Sequence, residues 1–280
     1  MKLRNILANN TTAHLLNPLP PWRRALVRLT HQHDINFDKI VNVIAVDPCL
    51  CARLLSFSRP SDLSLGSAKK VIRHILIREK SHLLGKLVEH NVNYYKTIDT
   101  CRHFSLKKYW LEAINVATAA QQLSRLKKLG GNIATQAYFA GILHNIGLIA
   151  LIYLHPEAMN QILKKSLSAQ ELFDYEKKYF AFDHTELATE ILMQQRIPDP
   201  VIMAIKTCRQ PFNKHQHSPL TEVIIHALEW QHSHTKKHTS LGQLLDKDKY
   251  KQLIQTEQRI LDRSDIFAYE SENARFMRYQ

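Results

Sequence analysis

Apolar residues recur three and four positions apart along most of this 280-residue chain. Ala25, Leu26 and Leu29 follow that spacing. So do Ile40, Val41 and Ile44, then Leu50, Leu54 and Leu55, then Tyr109, Ala113, Val116, Ala117 and Ala120. Residues at this period share one face of an α-helix, whereas a half-buried strand alternates every second residue. Sustained alternation is hard to find. Only 7 glycines and 10 prolines punctuate the chain, so the connections are short. The fold class expected is all-α.

Helix starts are marked by side chains that accept backbone N–H groups and by prolines suited to the first turn. Asn36, Asp47-Pro48, Ser168 with Glu171, Asp183 with Glu186, Asp199-Pro200 and Ser218-Pro219 all carry that signal. The stretch Asn17-Pro18-Leu19-Pro20-Pro21 reads as an extended lead-in, because proline disfavours helix just before it. Two helices are expected near 64–75 and 79–96. One central helix is expected over Thr135–Leu154, with Gly141 and Gly147 allowing close approach. No run approaches 18 consecutive apolar residues, so no membrane span is expected. The N-terminus lacks a leader's apolar core. Cys49, Cys51, Cys101 and Cys208 form no CxxC pair and no dense disulfide framework. A reducing cytoplasm is the expectation.

The formal charge is +13, and residues 1–100 hold +8 of it. Lys69, Lys70, Arg73, Arg78, Lys80 and Lys86 come nearest to a stripe. Such a surplus suits a solubilising surface, acidic protein partners or nucleic acid. Zinc-finger spacing, a glycine-rich dinucleotide fingerprint and a phosphate-binding P-loop are all missing from the sequence. His215, His217, His232, His234 and His238 suggest metal by composition alone.

The stretches LNPLPPWRRALVRL and DINFDKIVNVIAVDPCLCARLLSFS, with Asp47, Pro48, Leu50, Arg53, Leu54 and Leu55, resemble the N-terminal half of the HDOD family. These are the HD-related output domains of bacterial signalling proteins. YWLEAINVATAAQQL, AYFAGILHNIGLIAL and DHTELATEILMQQRIPDPVIMAIKTCRQP are similar to its HD-like half. The resemblance spans roughly 15–232. It implies an extended lead-in (1–20), an N-terminal helical lobe (21–98), a degenerate HD-like lobe (99–238) and a charged helical extension (239–280). The lobes are expected to meet near 95–110, with Tyr94 and Phe104 bridging them.

HD hydrolases hold a divalent cation with a His, a His-Asp pair and a later Asp. By the resemblance those positions fall at Glu112, His144-Asn145 and Glu229. His184 stands in a DHTEL segment, and Cys208-Arg209 occupy places where extra histidines often occur. Asn145 offers a neutral amide where Asp supplies an anionic ligand. Arg209 adds positive charge where a cation would sit. The resemblance therefore implies a degenerate metal site, no cofactor and no enzymatic activity. The expected function is a regulatory module acting through contacts with other signalling proteins. Nucleic-acid binding and metal-dependent phosphohydrolysis are the alternatives; a small-molecule ligand is left open. Arg53 and Trp110 are the expected partner-binding positions, because Trp110, Leu111 and Ile114 add apolar surface beyond the main stripe of their helix.

Overall fold

The computed structural model describes residues 12–18, 20–30, 36–89, 93–165, 167–210 and 217–234. The expected extension at 239–280 lies outside the described residues, as do His215 and His238. Among the described residues there is no strand, and the fold is all-α.

The N-terminal part comprises α1 (Thr12–Leu15), α2 (Pro20–Thr30), α3 (Phe37–Ala45), α4 (Pro48–Leu55), a 3-10 turn (Pro60–Leu65) and α5 (Ala68–Val88). Next come α6 (Tyr94–Asp99), α7 (Leu106–Leu126), α8 (Gly131–Leu143), α9 (Ile146–Leu154), α10 (Pro156–Leu163) and α11 (Ala169–Phe180). The chain closes with α12 (His184–Gln194), α13 (Asp199–Thr207) and α14 (Pro219–His234).

Most of the start signals act as chemistry dictates. The side chains of Asn36, Asp47 and Ser168 accept backbone N–H groups of the first turn in α3, α4 and α11, and Asp183 accepts two in α12. Each cap satisfies a donor that the helix itself leaves unpaired.

Four expectations need correction. The lead-in is not extended throughout: α1 interrupts it, and Pro20 and Pro21 open α2, where a ring with fixed φ and no N–H is tolerated. The two helices expected over 64–75 and 79–96 are one continuous 21-residue helix from Ala68 to Val88, because no breaker separates them. The expected helix over Thr135–Leu154 is two helices, parted at His144 and Asn145. Asp199 is the first residue of α13 rather than its cap, a place held by Pro198. Residues Gly131–Leu154 have the length and hydropathy of a spanning segment, yet 83% of the most apolar window is buried inside the fold.

One hydrophobic core runs from Leu15 to Trp230 through both proposed lobes. Tyr94 Oη donates to Leu15 O at 3.0 Å and Tyr95 Oη to Asn17 O at 2.8 Å. Tyr94 also stacks on Tyr153 of α9, and Tyr138 Oη of α8 donates to Ala45 O at the end of α3. Phe104 packs partly buried beside Tyr109.

Two glycines set the helix spacing around the site. A Cβ on Gly141 would lie 2.4 Å from Ala117 Cα, so α8 meets the α7 backbone directly. A Cβ on Gly147 would lie 1.8 Å from the His184 carbonyl oxygen, so α9 touches the first turn of α12. Any side chain at either place forces the backbones apart.

Candidate functional site

The close approaches bring four segments to one place. α7 carries Glu112. The break between α8 and α9 carries His144 and Asn145. α12 begins at His184. Arg209 follows α13 by two residues. α11 lies over them with Leu172 and Phe173.

His144 is the deepest of these side chains. Its Nδ1–H donates to Gly141 O at 2.7 Å, while Nε2 is buried with no hydrogen-bond partner. Glu112 Oε1 is the nearest carboxylate oxygen, at 3.9 Å, too long for a hydrogen bond. Burial holds the His144 imidazole below its ordinary value of 6.5; the Glu112 carboxylate opposes this shift and the Arg209 charge reinforces it. His144 is thus kept neutral.

Asn145, only 5% exposed, bridges two opposite charges. Its Nδ2 donates to Glu112 Oε1 at 3.3 Å, and its Oδ1 accepts from an Arg209 terminal nitrogen at 3.3 Å. The Arg209 guanidinium also sits 5.5 Å from the centre of the Phe173 ring. The other neighbour of that ring is His184, stacked at 4.7 Å. His184 is fixed by Glu176, a fully buried residue of α11. The Glu176 carboxylate accepts the His184 backbone N–H at 2.9 Å and the Nδ1–H at 2.7 Å. A carboxylate that holds one ring nitrogen decides where the other points. His184 is also among the residues that line the adjoining cleft.

That cleft has a volume of about 420 Å³, with Glu112, Asn145, Leu172, Phe173, His184 and Arg209 in its walls. A larger hollow of about 690 Å³ shares Phe173 and Arg209 with it and continues past Lys177, Glu190, Met193 and Lys206.

The remaining expected positions lie elsewhere or are engaged otherwise. Cys208 is buried, its thiol donates to Ile205 O at 3.1 Å, and burial pushes its pKa up to about 11. Glu229 is exposed, pairs with His226 on its own helix and is not in the walls of the cleft. Trp110 is 4% exposed. The Arg53 guanidinium donates to the carbonyls of Leu16, Lys86 and Glu89, and so closes the C-terminal end of α5. Its pKa is lowered, above all by burial. The four cysteines are free and buried.

Glu176 and Phe173 were missing from the residues picked out in the sequence. Glu176 belongs to the charged stretch FDYEKKY (Phe173-Asp174-Tyr175-Glu176-Lys177-Lys178-Tyr179), which reads as a solvated face. Its spacing of eight residues from His184 matches no metal or catalytic motif.

A divalent cation does not fit this donor set. Asn145 turns its amide N–H toward Glu112, Arg209 brings a permanent positive charge, and the Cys208 thiol stays protonated. Among the described residues, no three His, Cys, Asp or Glu side chains gather in a metal-holding group.

The fold and this altered cluster define the class: an all-helical, HD-related domain with a degenerate metal site. Residues 86–211 match the HDOD domain model. Among solved structures, it is similar to the MmoQ response regulator of Methylococcus capsulatus strain Bath. The two share 19% identity over 85% of this chain and 97% of that one, with a TM-score of 0.64. It is also similar to a virulence factor of Campylobacter jejuni, at 17% identity over 82% of this chain and 80% of the other, with a TM-score of 0.57. Likeness at this identity extends to the fold. No curated protein matches the chain.

Proposed function

We propose that this chain is a non-enzymatic signal-transduction module that acts through protein–protein contacts. The observation that carries the reading is the Arg209–Asn145–Glu112 chain of hydrogen bonds; if these are the positions of the family's cation site, as the resemblance implies, an arginine and an amide replace a cation and its anionic ligand. The match of residues 86–211 to the HDOD domain model and the fold shared with a response regulator support it. The partners are other signalling proteins. The module comprises the N-terminal lobe at 21–98 and the HD-like lobe at 99–238, and signals pass where they meet. Trp110 is buried on α7 and Arg53 closes the end of α5, so neither side chain itself faces a partner; α7, with Lys107 and Lys108 exposed, is the helix that offers the junction.

The reading is tested by two measurements on full-length protein purified without a nickel column. Metal analysis after dialysis should find well below one divalent ion per chain, and phosphoesterase assays with added Mg²⁺ or Mn²⁺ should give no turnover. Capture from the native cell should recover signalling proteins. Stoichiometric metal together with metal-dependent phosphoester hydrolysis overturns the reading.

One observation favours nucleic acid as a second class of partner. Gly131 at the start of α8 abuts Gly66, which precedes α5. Consecutive Cα atoms are ~3.8 Å apart, so Lys69 and Lys128 both lie within roughly 12 Å of that contact along the backbone. Lys69, Lys70, Lys127 and Lys128 are all exposed. A mobility shift that weakens steeply with salt would support this reading; duplex or single-stranded probes left unshifted at low salt dismiss it.

A further inference from the structure

We propose that the cleft between Glu112 and Arg209 is a binding site for a small zwitterion. Such a ligand carries an anionic oxygen group, carboxylate or phosphate, joined by a short spacer to an ammonium group.

The cleft has poles of opposite sign. Arg209 supplies the cationic pole, with several N–H donors in a planar fork suited to a carboxylate or a phosphate. Only one donor contact is made to Asn145, at 3.3 Å. Glu112 supplies the anionic pole. A carboxylate oxygen accepts more than one hydrogen bond, so Glu112 takes an incoming ammonium while keeping Asn145. Asn145 fixes the spacing. Its amide donates to one pole and accepts from the other, and both bonds are long at 3.3 Å. A bound zwitterion repeats that alternation, with its anionic end at Arg209 and its donor end at Glu112.

A second feature lies at the cleft. His184 is nine-tenths buried, held through Nδ1 by the buried Glu176, and is among the residues that line the cavity. Phe173 shields the His184 and Arg209 side of the site from water. Apolar walls from Leu148 and Leu172 suit the methylene spacer. The volume, about 420 Å³, is that of a small-molecule pocket.

The test uses isolated full-length protein, with no partner present. The signalling reading can therefore fail while this one stands, and the reverse. Isothermal titration calorimetry compares two zwitterions, phosphoethanolamine and β-alanine, with ethyl phosphate and propionate, which lack the ammonium group. At least one zwitterion is expected to bind more tightly than its amine-free counterpart. The arm that responds tells a phosphate source from a carboxylate source. Arg209→Gln is expected to weaken binding by about tenfold or more. Glu112→Gln is expected to abolish the preference for the amine-bearing probe. Melting of each variant without ligand shows whether it folds. Should Arg209→Gln unfold, Arg209→Lys retains the charge but loses the planar fork, and weaker binding is again expected. The proposal fails if no zwitterion binds wild-type protein at concentrations on the order of 10 mM. It also fails if the amine-free probes bind equally well, or if a folded Arg209 variant keeps wild-type affinity.

Discussion

Arg53 and Arg209 are both partly buried arginines, and their surroundings differ in kind. Arg53 is surrounded by backbone carbonyls with contacts as short as 2.5 Å, and it ties the start of the chain to the end of α5. Close by, Arg78 Nη1 reaches both oxygens of the buried Asp62, at 2.8 and 3.0 Å, and fastens the 3-10 turn to α5. Between the two charged poles of the C-terminal cleft the bonds are longer. Arg209 and Glu112 each meet Asn145 at 3.3 Å, and His144 Nε2 is buried without a partner. Buried polar groups that are fully satisfied make a frame; groups left long or unpaired keep the capacity to bind something else. The N-terminal arginines hold the fold, and the cleft retains chemistry that folding did not use.

The contrast is most open to disproof at Arg53. Arg53→Glu places a carboxylate against three carbonyl oxygens, and we expect a loss of about 4 kcal/mol or outright unfolding, read by circular dichroism and urea melts. A fully folded, wild-type-stable variant breaks the view of Arg53 as frame. Gly147→Ala comes next, at about 3 kcal/mol, since its Cβ must displace the His184 carbonyl; added loss of probe binding in the cleft would tie that packing to the site.

His144 sharpens the comparison through pH. Its folded-state value is depressed, so the unfolded chain binds the proton more readily and stability rises with pH. Stability is complete above the unfolded value of about 6.5 and is lost as pH falls below it toward the folded value. His144→Asn should flatten the fall in stability as pH drops below about 6.5. An unchanged slope means other groups govern it; His155, also depressed mainly by burial, is the next to replace. The smallest effect is expected at Glu229. Glu229→Gln should shift stability by less than about 0.5 kcal/mol and leave the cleft unaltered, because Glu229 is exposed and outside it.

Much of the frame was legible from local chemistry. Asp47 caps α4 and Ser168 with Glu171 closes the start of α11 because both ends of each bond lie within three residues. Of the positions that the resemblance assigned to a metal site, the structure brings Glu112, His144, Asn145, His184 and Arg209 to one cluster and leaves Glu229 outside it. The break at His144 and Asn145 was not legible, since the apolar text runs through it without proline. The Arg53 clamp was not legible either. Its carbonyl partners lie 33 to 37 residues away, and a carbonyl has no side-chain identity to read.

The sequence by itself determined that the chain is helical, where most helices begin, and which residue types stand at the positions compared with a cation site. Periodicity, caps and residue identity are local properties, written within one or two turns. Only the tertiary structure decided what the replacements do together. Glu176 reaches His184, Phe173 lies against both His184 and Arg209, and Asn145 joins Arg209 to Glu112, 64 and 33 residues away. Those pairings depend on how closely α8, α9 and α12 approach one another, and backbone contact at Gly141 and Gly147 sets that distance.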